Sequence, residues 1–159
     1  MSNDIKLLWS VPAMDGDLEY STGDLTLDKG LESAVIISMY TDARAGDDDK
    51  LDDPDDKRGW WGDLTNEYDD DRIGSKLWLR ARSKTTNETL VLAKKDVKDC
   101  LQWMLDDGVA VRIDVNAERL ARNDGVVDVL GIELKILQRD GNVLAMNFYE
   151  LWEEQFNGL

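Results

Sequence analysis

Residues 109–149 read VAVRIDVNAERLARNDGVVDVLGIELKILQRDGNVLAMNFY, and their pattern is the strongest indication of the fold. Apolar and polar residues alternate along this stretch in three runs, and this two-residue period is typical of strands with one buried face. The three runs are residues 109–118, 126–136 and 143–149. The pattern therefore predicts a sheet of three strands in the last third of the chain.

Turn signals between these runs indicate how the strands connect. Asn123-Asp124-Gly125 separates the first run from the second, and Asp140-Gly141-Asn142 separates the second from the third. Because such segments favour tight chain reversals, consecutive strands are expected to pair as an antiparallel meander. The alternation breaks once, at Leu130-Gly131, and a β-bulge at that position would explain the break.

A helical half with a short hairpin precedes the strands. Residues 16–28 alternate in polarity around Ser21-Thr22-Gly23-Asp24, which predicts a hairpin. Asp28 can then cap a helix over residues 29–41. The apolar-rich residues 74–82 predict a second, short helix.

The longest helix is predicted directly before the sheet. Thr85 and Glu88 match a capping box, in which each side chain bonds a free backbone N–H at the helix start. Apolar residues recur at three- and four-residue spacing over 90–105, and Gly108 can end the helix in a left-handed conformation. The predicted fold class is α+β, in a single domain over residues 1–159.

Composition excludes several kinds of function. The chain has 159 residues, no histidine, one cysteine and a net charge of −15. Without histidine there is no Ser-His-Asp or Cys-His catalysis, and the single Cys100 allows no intramolecular disulfide and no multi-cysteine metal site. We expect Cys100 to be a buried, unreactive thiol. No apolar run approaches the roughly 20 residues that span a bilayer and no signal pattern is present, so a soluble, unsecreted protein is expected.

About half of the negative charge lies in one acidic loop, residues 43–72. Residues 42–72 hold thirteen acidic and five basic side chains, a net charge of −8. The densest part, residues 46–56, has seven aspartates and few apolar residues, which predicts a solvated loop. Neither this part nor Asp69-Asp70-Asp71 has the ligand spacing of a calcium-binding EF-hand loop, so no metal site is predicted.

Two adjacent tryptophans, Trp60 and Trp61, stand between two glycines in this charged loop. Adjacent tryptophans cannot easily both face one core, and tryptophan is enriched at the hot spots of protein interfaces. One interpretation therefore places at least one ring on a binding surface. The other interpretation has one ring fixing the loop to the core of the protein. Trp103, in the predicted long helix, is expected in the core.

Several segments resemble the Mu-like phage baseplate wedge family. They are LESAVIIS (31–38), YTD (40–42), DKRGWWGD (56–63), RIGSKLWL (72–79), TL (89–90), LQW (101–103) and DDG (106–108). The resemblance covers residues 23–137, and the combination of the RGWWGD and GSKLWL pieces is specific. That family is in turn similar, more distantly, to the lysozyme-like wedge proteins of contractile tails, also called sheath initiators.

This resemblance implies a small α+β domain without enzymatic activity. It also implies a place in the tail baseplate of the virion, after assembly in the cytoplasm of the bacterial host. The implied partners are other baseplate wedge proteins and the tail sheath protein, with no cofactor, nucleic acid, membrane or small-molecule substrate. The Glu-Pro-Arg triplet of the distant relatives is absent here, where Asp107-Gly108-Val109 stands instead.

We predict two partner-binding sites from these patterns. The acidic loop is expected to contact a wedge neighbour, and the third strand is expected to be either central in the sheet or the edge that pairs with the sheath protein by strand addition. Residues 143–148 carry no charge, and an uncharged edge strand is prone to pairing unless it is central or has a partner. The predicted contact residues are Arg58, Trp60, Trp61 and Asp63 in the loop, and Val143, Ala145 and Asn147 in the third strand.

Two other classes of function stay open at this point. An acidic mimic that occupies a nucleic-acid-binding protein agrees with the charge of −15, but it needs carboxylates across a broad folded face. A glycoside hydrolase needs only two carboxylic acids flanking the scissile bond. With 34 acidic residues such a pair is always available, and Glu118, Glu133 and Glu150 are the least crowded by like charge.

Overall fold

A computed structural model of the chain describes residues 4–10, 15–21, 24–25, 27–28, 31–51, 53–65, 72–80, 86–121 and 128–151. The fold is a mixture of helix and antiparallel sheet in one domain, which confirms the predicted class. The strands are β1 (Asp4–Ile5), β2 (Leu7–Ser10), β3 (Asp15–Leu18), β4 (Tyr20–Ser21), β5 (Asp24–Leu25), β6 (Leu27–Asp28), β7 (Ala110–Ala121), β8 (Asp128–Gln138) and β9 (Val143–Leu151). The helices are α1 (Glu32–Tyr40), α2 (Asn87–Cys100) and α3 (Gln102–Asp106), with 3₁₀ helices at Trp61–Leu64 and Leu77–Arg80.

The sheet of the last third is the predicted meander, in spatial order β7-β8-β9. The pairing of β7 with β8 is regular at Gly131, which lies opposite Glu118, so the bulge predicted there was wrong. A Cβ atom at Gly131 would lie 2.7 Å from Cδ1 of Leu120, so glycine makes room for that side chain instead. The irregularity in register lies between Ala110 and Arg112, at the start of β7.

The N-terminal strands are more complex than the predicted hairpin. β4 and β5 do pair across the predicted turn, with Tyr20 opposite Leu25. β3, however, pairs with β2, and β6 pairs with β1, so residues before the predicted hairpin supply both partners. Asp28 lies in β6 opposite Asp4 and does not cap α1, whose N-cap is Leu31 without a side-chain hydrogen bond.

The start of α1 is joined to the N-terminal strands by Ser33. The Leu7 N–H donates to Ser33 Oγ at 3.0 Å, and Ser33 Oγ donates to the Ile5 carbonyl at 3.4 Å. Lys6 adds ion pairs to Glu19 at 3.3 Å and to Glu32 at 3.8 Å. Long-range bonds of this kind are not visible in the sequence, because their partners are 26 and 28 residues apart.

The predicted long helix is two helices. Thr86 is the N-cap of α2, and its Oγ1 accepts the Thr89 N–H at 3.2 Å; Thr85 lies outside the described residues. α2 ends at Cys100, Leu101 leaves the helical conformation, and α3 follows. The break leaves Leu101 and Met104 both fully buried. The helix predicted over 74–82 is the 3₁₀ helix Leu77–Arg80.

The core lies between the helices and one face of the sheet. Four alternate residues of β8 are buried on this face: Leu130, Ile132, Leu134 and Ile136. α2 and α3 pack against β7. The ring of Tyr40, at the end of α1, contacts Phe148 of β9 edge-on, with 5.9 Å between ring centroids. Apolar burial on one sheet face is the main stabilising contribution in this architecture.

The prediction that Trp103 lies in the core was wrong. Its side chain is 37% exposed, and its indole Nε1–H donates to Ser38 Oγ at 3.2 Å. An indole at the margin of a core keeps its N–H within reach of a polar partner, which a fully apolar site would not offer. Trp103 therefore joins α3 to α1 at the boundary of the core.

Two irregular segments cross where the acidic loop leaves and re-enters the helical half. Ser75 N–H donates to the Thr41 carbonyl at 2.8 Å, and Ala43 N–H donates to the Ser75 carbonyl at 2.9 Å. The buried Ser75 hydroxyl also donates to the Met39 carbonyl and accepts the Leu77 N–H. Every polar group of Ser75 thus has a partner, so the crossing is a fixed point between α1 and the loop.

Gly74 makes this crossing possible, and we predict that it tolerates no side chain. Its φ is +106°, and a Cβ atom would lie 2.5 Å from the Thr41 carbonyl oxygen. Gly141 is the matched control, because its φ is +88° but a Cβ atom there meets nothing within 4 Å. Gly141→Ala should cost only the left-handed conformation, about 1–2 kcal/mol, whereas Gly74→Ala should cost about 3 kcal/mol or more. Equal losses in urea unfolding of the two variants would contradict this account of the crossing.

Candidate protein-binding surfaces

Arg58 anchors the second half of the acidic loop. It adopts a positive φ of 45° directly before Gly59. Its guanidinium carbon lies 4.6 Å from the centroid of the Trp78 ring, and its Nη1 donates to Asp42 at 2.8 Å. The hydrogen bond to Asp42 is the main cause that raises the pKa of Arg58, with a further contribution from Asp56. Arg58 is therefore held by aromatic and carboxylate partners of its own chain.

Three large apolar side chains stand out from the protein just after Arg58, and we call them the tryptophan surface. They are Trp60, Trp61 and Leu64, which are 40%, 73% and 81% exposed. The two indole rings lie 5.5 Å apart at an angle of 46°. The Trp60 ring packs directly on the backbone of Gly62, where a Cβ atom would lie 2.2 Å from it. Glycine at position 62 is thus required for the shape of this surface.

The 3₁₀ helix under the tryptophan surface is fixed at both ends. The Asp63 N–H donates to the Trp60 carbonyl at 3.1 Å, and the Thr65 N–H donates to the Gly62 carbonyl at 3.0 Å. Asp63 Oδ1 also accepts the Ile73 N–H at 3.3 Å. This carboxylate, predicted as a contact residue, therefore holds the loop to the segment before the Gly74 crossing.

The first half of the acidic loop is mostly exposed to solvent, and two of its aspartates form ion pairs. Lys57 Nζ lies 2.6 Å from Asp47, and Lys76 Nζ lies 2.6 Å from Asp49. Partial burial alone would raise the pKa of Asp49, but hydrogen bonds from Lys76 and the Gly46 N–H, together with the charge of Lys76, lower it overall. The pKa of Asp47 is lowered mainly by its hydrogen bond from Lys57.

The outer side of β9 is an open strand edge. Within the described residues, no strand pairs with β9 on the side away from β8. Gln138 N–H donates to the Asn142 carbonyl, so in the alternating antiparallel ladder the even-numbered residues of β9 bond to β8. The backbone N–H and C=O groups of Val143, Ala145 and Asn147 consequently point outward. Their side chains lie on the solvent-facing side of the sheet.

β7 is the other outer strand, but its side chains differ from those of β9. Its solvent-facing residues include Arg112, Asp114 and Glu118, and the irregular register lies at its first residues. Charged side chains and bulges both discourage pairing with a further strand. β9 carries neither feature over residues 143–148, and Val143 is 62% exposed. Of the two edges, β9 is therefore the better acceptor for an added strand.

The predicted contact residues thus fall into two groups. Trp60 and Trp61 share one exposed surface, whereas Arg58 and Asp63 beneath them make bonds that position the loop. Sequence reasoning missed Leu64, the most exposed member of the tryptophan surface. Its spacing of three residues after Trp61 was the available signal, because residues three apart in a 3₁₀ turn share a face. That these groups bind partners stays a prediction.

No three potential metal-ligating side chains cluster among the described residues, and no described helix is long and apolar enough to cross a membrane. Burial raises the pKa of Cys100 to about 12, so its thiol is un-ionised at neutral pH, as expected of an unreactive cysteine. Glu133 lies on the open face of the sheet and pairs with Lys135 at 2.7 Å.

Comparison with known proteins identifies the family. The family model described as "Phage protein GP46" matches residues 31–143, from the start of α1 to the first residue of β9. The chain belongs to the phage protein GP46 family. The matched range includes the whole acidic loop, the tryptophan surface and strands β7 and β8.

Two relatives of this GP46 family chain are similar over nearly their full length. Baseplate protein gp46 of Escherichia phage Mu is 36% identical over 157 residues, which is 98% of this chain and 99% of the relative. The Mu-like prophage FluMu protein gp46 of Haemophilus influenzae is 35% identical over 150 residues, or 94% of this chain and 98% of the relative. The resemblance to a Mu-like phage baseplate family is thereby confirmed.

The ion pair between Lys76 and Asp49 generates a prediction about pH. Because the pKa of Asp49 is lowered in the folded chain, the pair stabilises the fold above the ordinary aspartate range near pH 3.8, and this contribution is lost as the pH falls through the folded pKa. Lys76→Met should therefore cost about 0.5–1 kcal/mol at pH 7, a value limited by partial exposure, and much less near pH 3.

Lys95→Met is the control for that experiment, because Lys95 pairs with Asp99 at 2.9 Å but both side chains are more than 60% exposed. Its cost at pH 7 should be smaller, about 0.3–0.5 kcal/mol. Urea unfolding at pH 7 and pH 3 measures both variants. A loss for Lys76→Met that is the same at both pH values would show that the Asp49 pair does not hold the loop.

Proposed function

We propose that this chain is a structural component of a contractile phage tail baseplate, a wedge subunit on which the tail sheath begins to assemble. The observation that carries the proposal is the likeness to baseplate protein gp46 of phage Mu, at 36% identity over 98% of this chain. Its place is the tail of the virion, after assembly in the host cytoplasm. We infer that it acts through protein contacts and not as an enzyme.

The open edge of β9 supports a specific mode of contact with the sheath protein. An extended segment that lies beside β9 can bond the outward N–H and C=O groups of Val143, Ala145 and Asn147. The small or uncharged side chains there present no charge to an incoming strand. Addition of a strand would satisfy main-chain groups that only water satisfies at a free edge. Strand addition of this kind would fix the direction and register of the sheath segment relative to β9, and so position the first sheath ring.

The tryptophan surface supports a second contact, with a neighbouring wedge protein. Trp60, Trp61 and Leu64 expose large apolar area on a loop that Arg58 and Asp63 hold in place. Exposed apolar clusters rimmed by polar residues are typical of interaction sites, and tryptophan often dominates their binding energy. Two separate surfaces suit a subunit that must join one partner to another.

The alternative functions lack comparable support. A nucleic-acid mimic needs carboxylates spread over a broad face. In this chain, ion pairs with Lys57, Arg58 and Lys76 already engage three of the acidic side chains: Asp47, Asp42 and Asp49. A glycoside hydrolase needs an acid facing a second carboxylate across a substrate. Glu118 and Glu133 lie on the open face of the sheet, and Glu133 is paired with Lys135. The side chain of Glu150 lies outside the described part of the chain.

Proline variants of β9 test the proposed edge. Proline lacks the backbone N–H and is tolerated in a strand only where that N–H is not needed by the sheet. We expect Ala145→Pro and Asn147→Pro to stay folded, because those N–H groups point outward, but to prevent sheath assembly on the baseplate. The measurements are circular dichroism of the purified variants and electron microscopy of tails from a phage that carries each variant.

Met146→Pro is the matched control, since the Met146 N–H points toward β8. This variant should lose stability in the isolated protein, on the order of 3 kcal/mol. Normal sheath assembly with folded Ala145→Pro and Asn147→Pro would rule out this edge. Equal destabilisation by all three prolines would show that the assignment of outward and inward groups is wrong.

A further inference from the structure

We propose that the tryptophan surface binds an arginine-bearing apolar segment of the neighbouring baseplate protein, with a guanidinium stacked on the exposed face of Trp61. This inference rests on the proposed function and adds the chemistry of the partner. Apolar exposure alone would fit many partners. The charge around the surface and a contact inside the chain narrow the choice.

The first observation is the sign of the charge around the surface. Residues 42–65 hold nine aspartates and four basic residues, a net charge of −5. Two of those four cations, Lys57 and Arg58, are already bound by aspartates of the same segment. Several further aspartates of the loop, such as Asp48 and Asp55, are exposed. An apolar surface in a negative electrostatic potential favours a partner that has both positively charged and apolar side chains.

The second observation is that the chain already contains an intramolecular contact of the proposed kind. Arg58 lies over the Trp78 ring at 4.6 Å while Asp42 and Asp56 bind its nitrogens at 2.8 and 3.6 Å. A guanidinium between an aromatic face and carboxylates is therefore a stable arrangement in this loop. Trp61, a residue that is 73% exposed, offers a second aromatic face three positions after Arg58.

Arginine suits this surface better than lysine for a physical reason. Its planar guanidinium is weakly hydrated, stacks on an indole and can still bond carboxylates at its edge, whereas an ammonium is a strongly hydrated point charge. Apolar residues next to the arginine would cover Leu64 and the rim of Trp60. The expected partner is thus a segment in which arginine alternates with leucine-like side chains.

A peptide titration tests this chemistry on the full chain. The probe is acetyl-Leu-Arg-Leu-Arg-Leu-amide, compared with the same peptide in which both arginines are citrulline, a neutral residue of similar shape. The readout is the indole N–H signals of the protein in NMR spectra. We expect the arginine peptide to shift the Trp60 and Trp61 signals and to bind about fivefold more tightly than the citrulline peptide, the scale of one cation–π contact.

The variants for this titration are Trp61→Ala and, as control, Val91→Ala, which shortens an exposed apolar side chain on α2, outside both proposed binding surfaces. Trp61→Ala should abolish the shift at Trp60, and Val91→Ala should leave it unchanged. Equal binding of both peptides, or shifts confined to Trp78 and Trp103, would overturn the proposal.

Incorporation of a Trp60→Ala/Trp61→Ala double variant into tails separates this inference from the proposed function. Failure of the folded double variant to join the baseplate, together with selective arginine binding, supports the inference. If the double variant fails to join but the peptides bind equally, the arginine chemistry is wrong while the wedge role stands. Normal incorporation of the double variant overturns the inference, and the role is then tested by the β9 proline variants alone.

Discussion

The apolar side of β8 must be buried, and in the described part of the chain the helices cover only one face of the sheet. Leu130, Ile132, Leu134 and Ile136 lie fully or almost fully buried on that side. Because side chains alternate along a strand, this fixes which residues of β7 and β9 face the helices and which face water. α2 and α3 pack against β7, while α1 contributes Tyr40 to the inner side of β9. The charged outer face follows from the same arrangement, whereas the open β9 edge follows from the strand order β7-β8-β9.

The sheet could be predicted from the sequence because its signals are local. Two-residue alternation and the turn residues near Gly141 lie within a few positions of what they determine, and the sheet has the expected order of strands. The bulge prediction failed at Gly131 because a break in alternation has a second cause: a glycine that leaves room for a neighbouring side chain, here that of Leu120. The missed pairing of β1 with β6 depends on contacts between residues 22 or more positions apart, which periodicity does not encode.

The candidate surfaces show the same division between local and non-local information. The exposed Trp61 could be proposed from its neighbours, because two adjacent rings cannot easily share one core. The roles of Arg58 and Asp63 could not, since the bonds that hold them, to Asp42 and the Ile73 N–H, form only after the segments cross at Gly74. Residues that sequence reasoning assigned to partner contact thus also hold the loop in place. They give the tryptophans a fixed base, which would reduce the ordering entropy lost in the proposed contact.

We propose that β9 offers its outer edge to a partner strand in the assembled baseplate. Amide hydrogen exchange of residues 143–148, in the free protein and in assembled tails, can check this contact residue by residue. Ala145 and Asn147 should exchange rapidly in the free protein, while Leu144 and Met146 are protected by β8. In assembled tails the Ala145 and Asn147 amides should become protected as well. Rapid exchange of Ala145 and Asn147 in both states would contradict the claim.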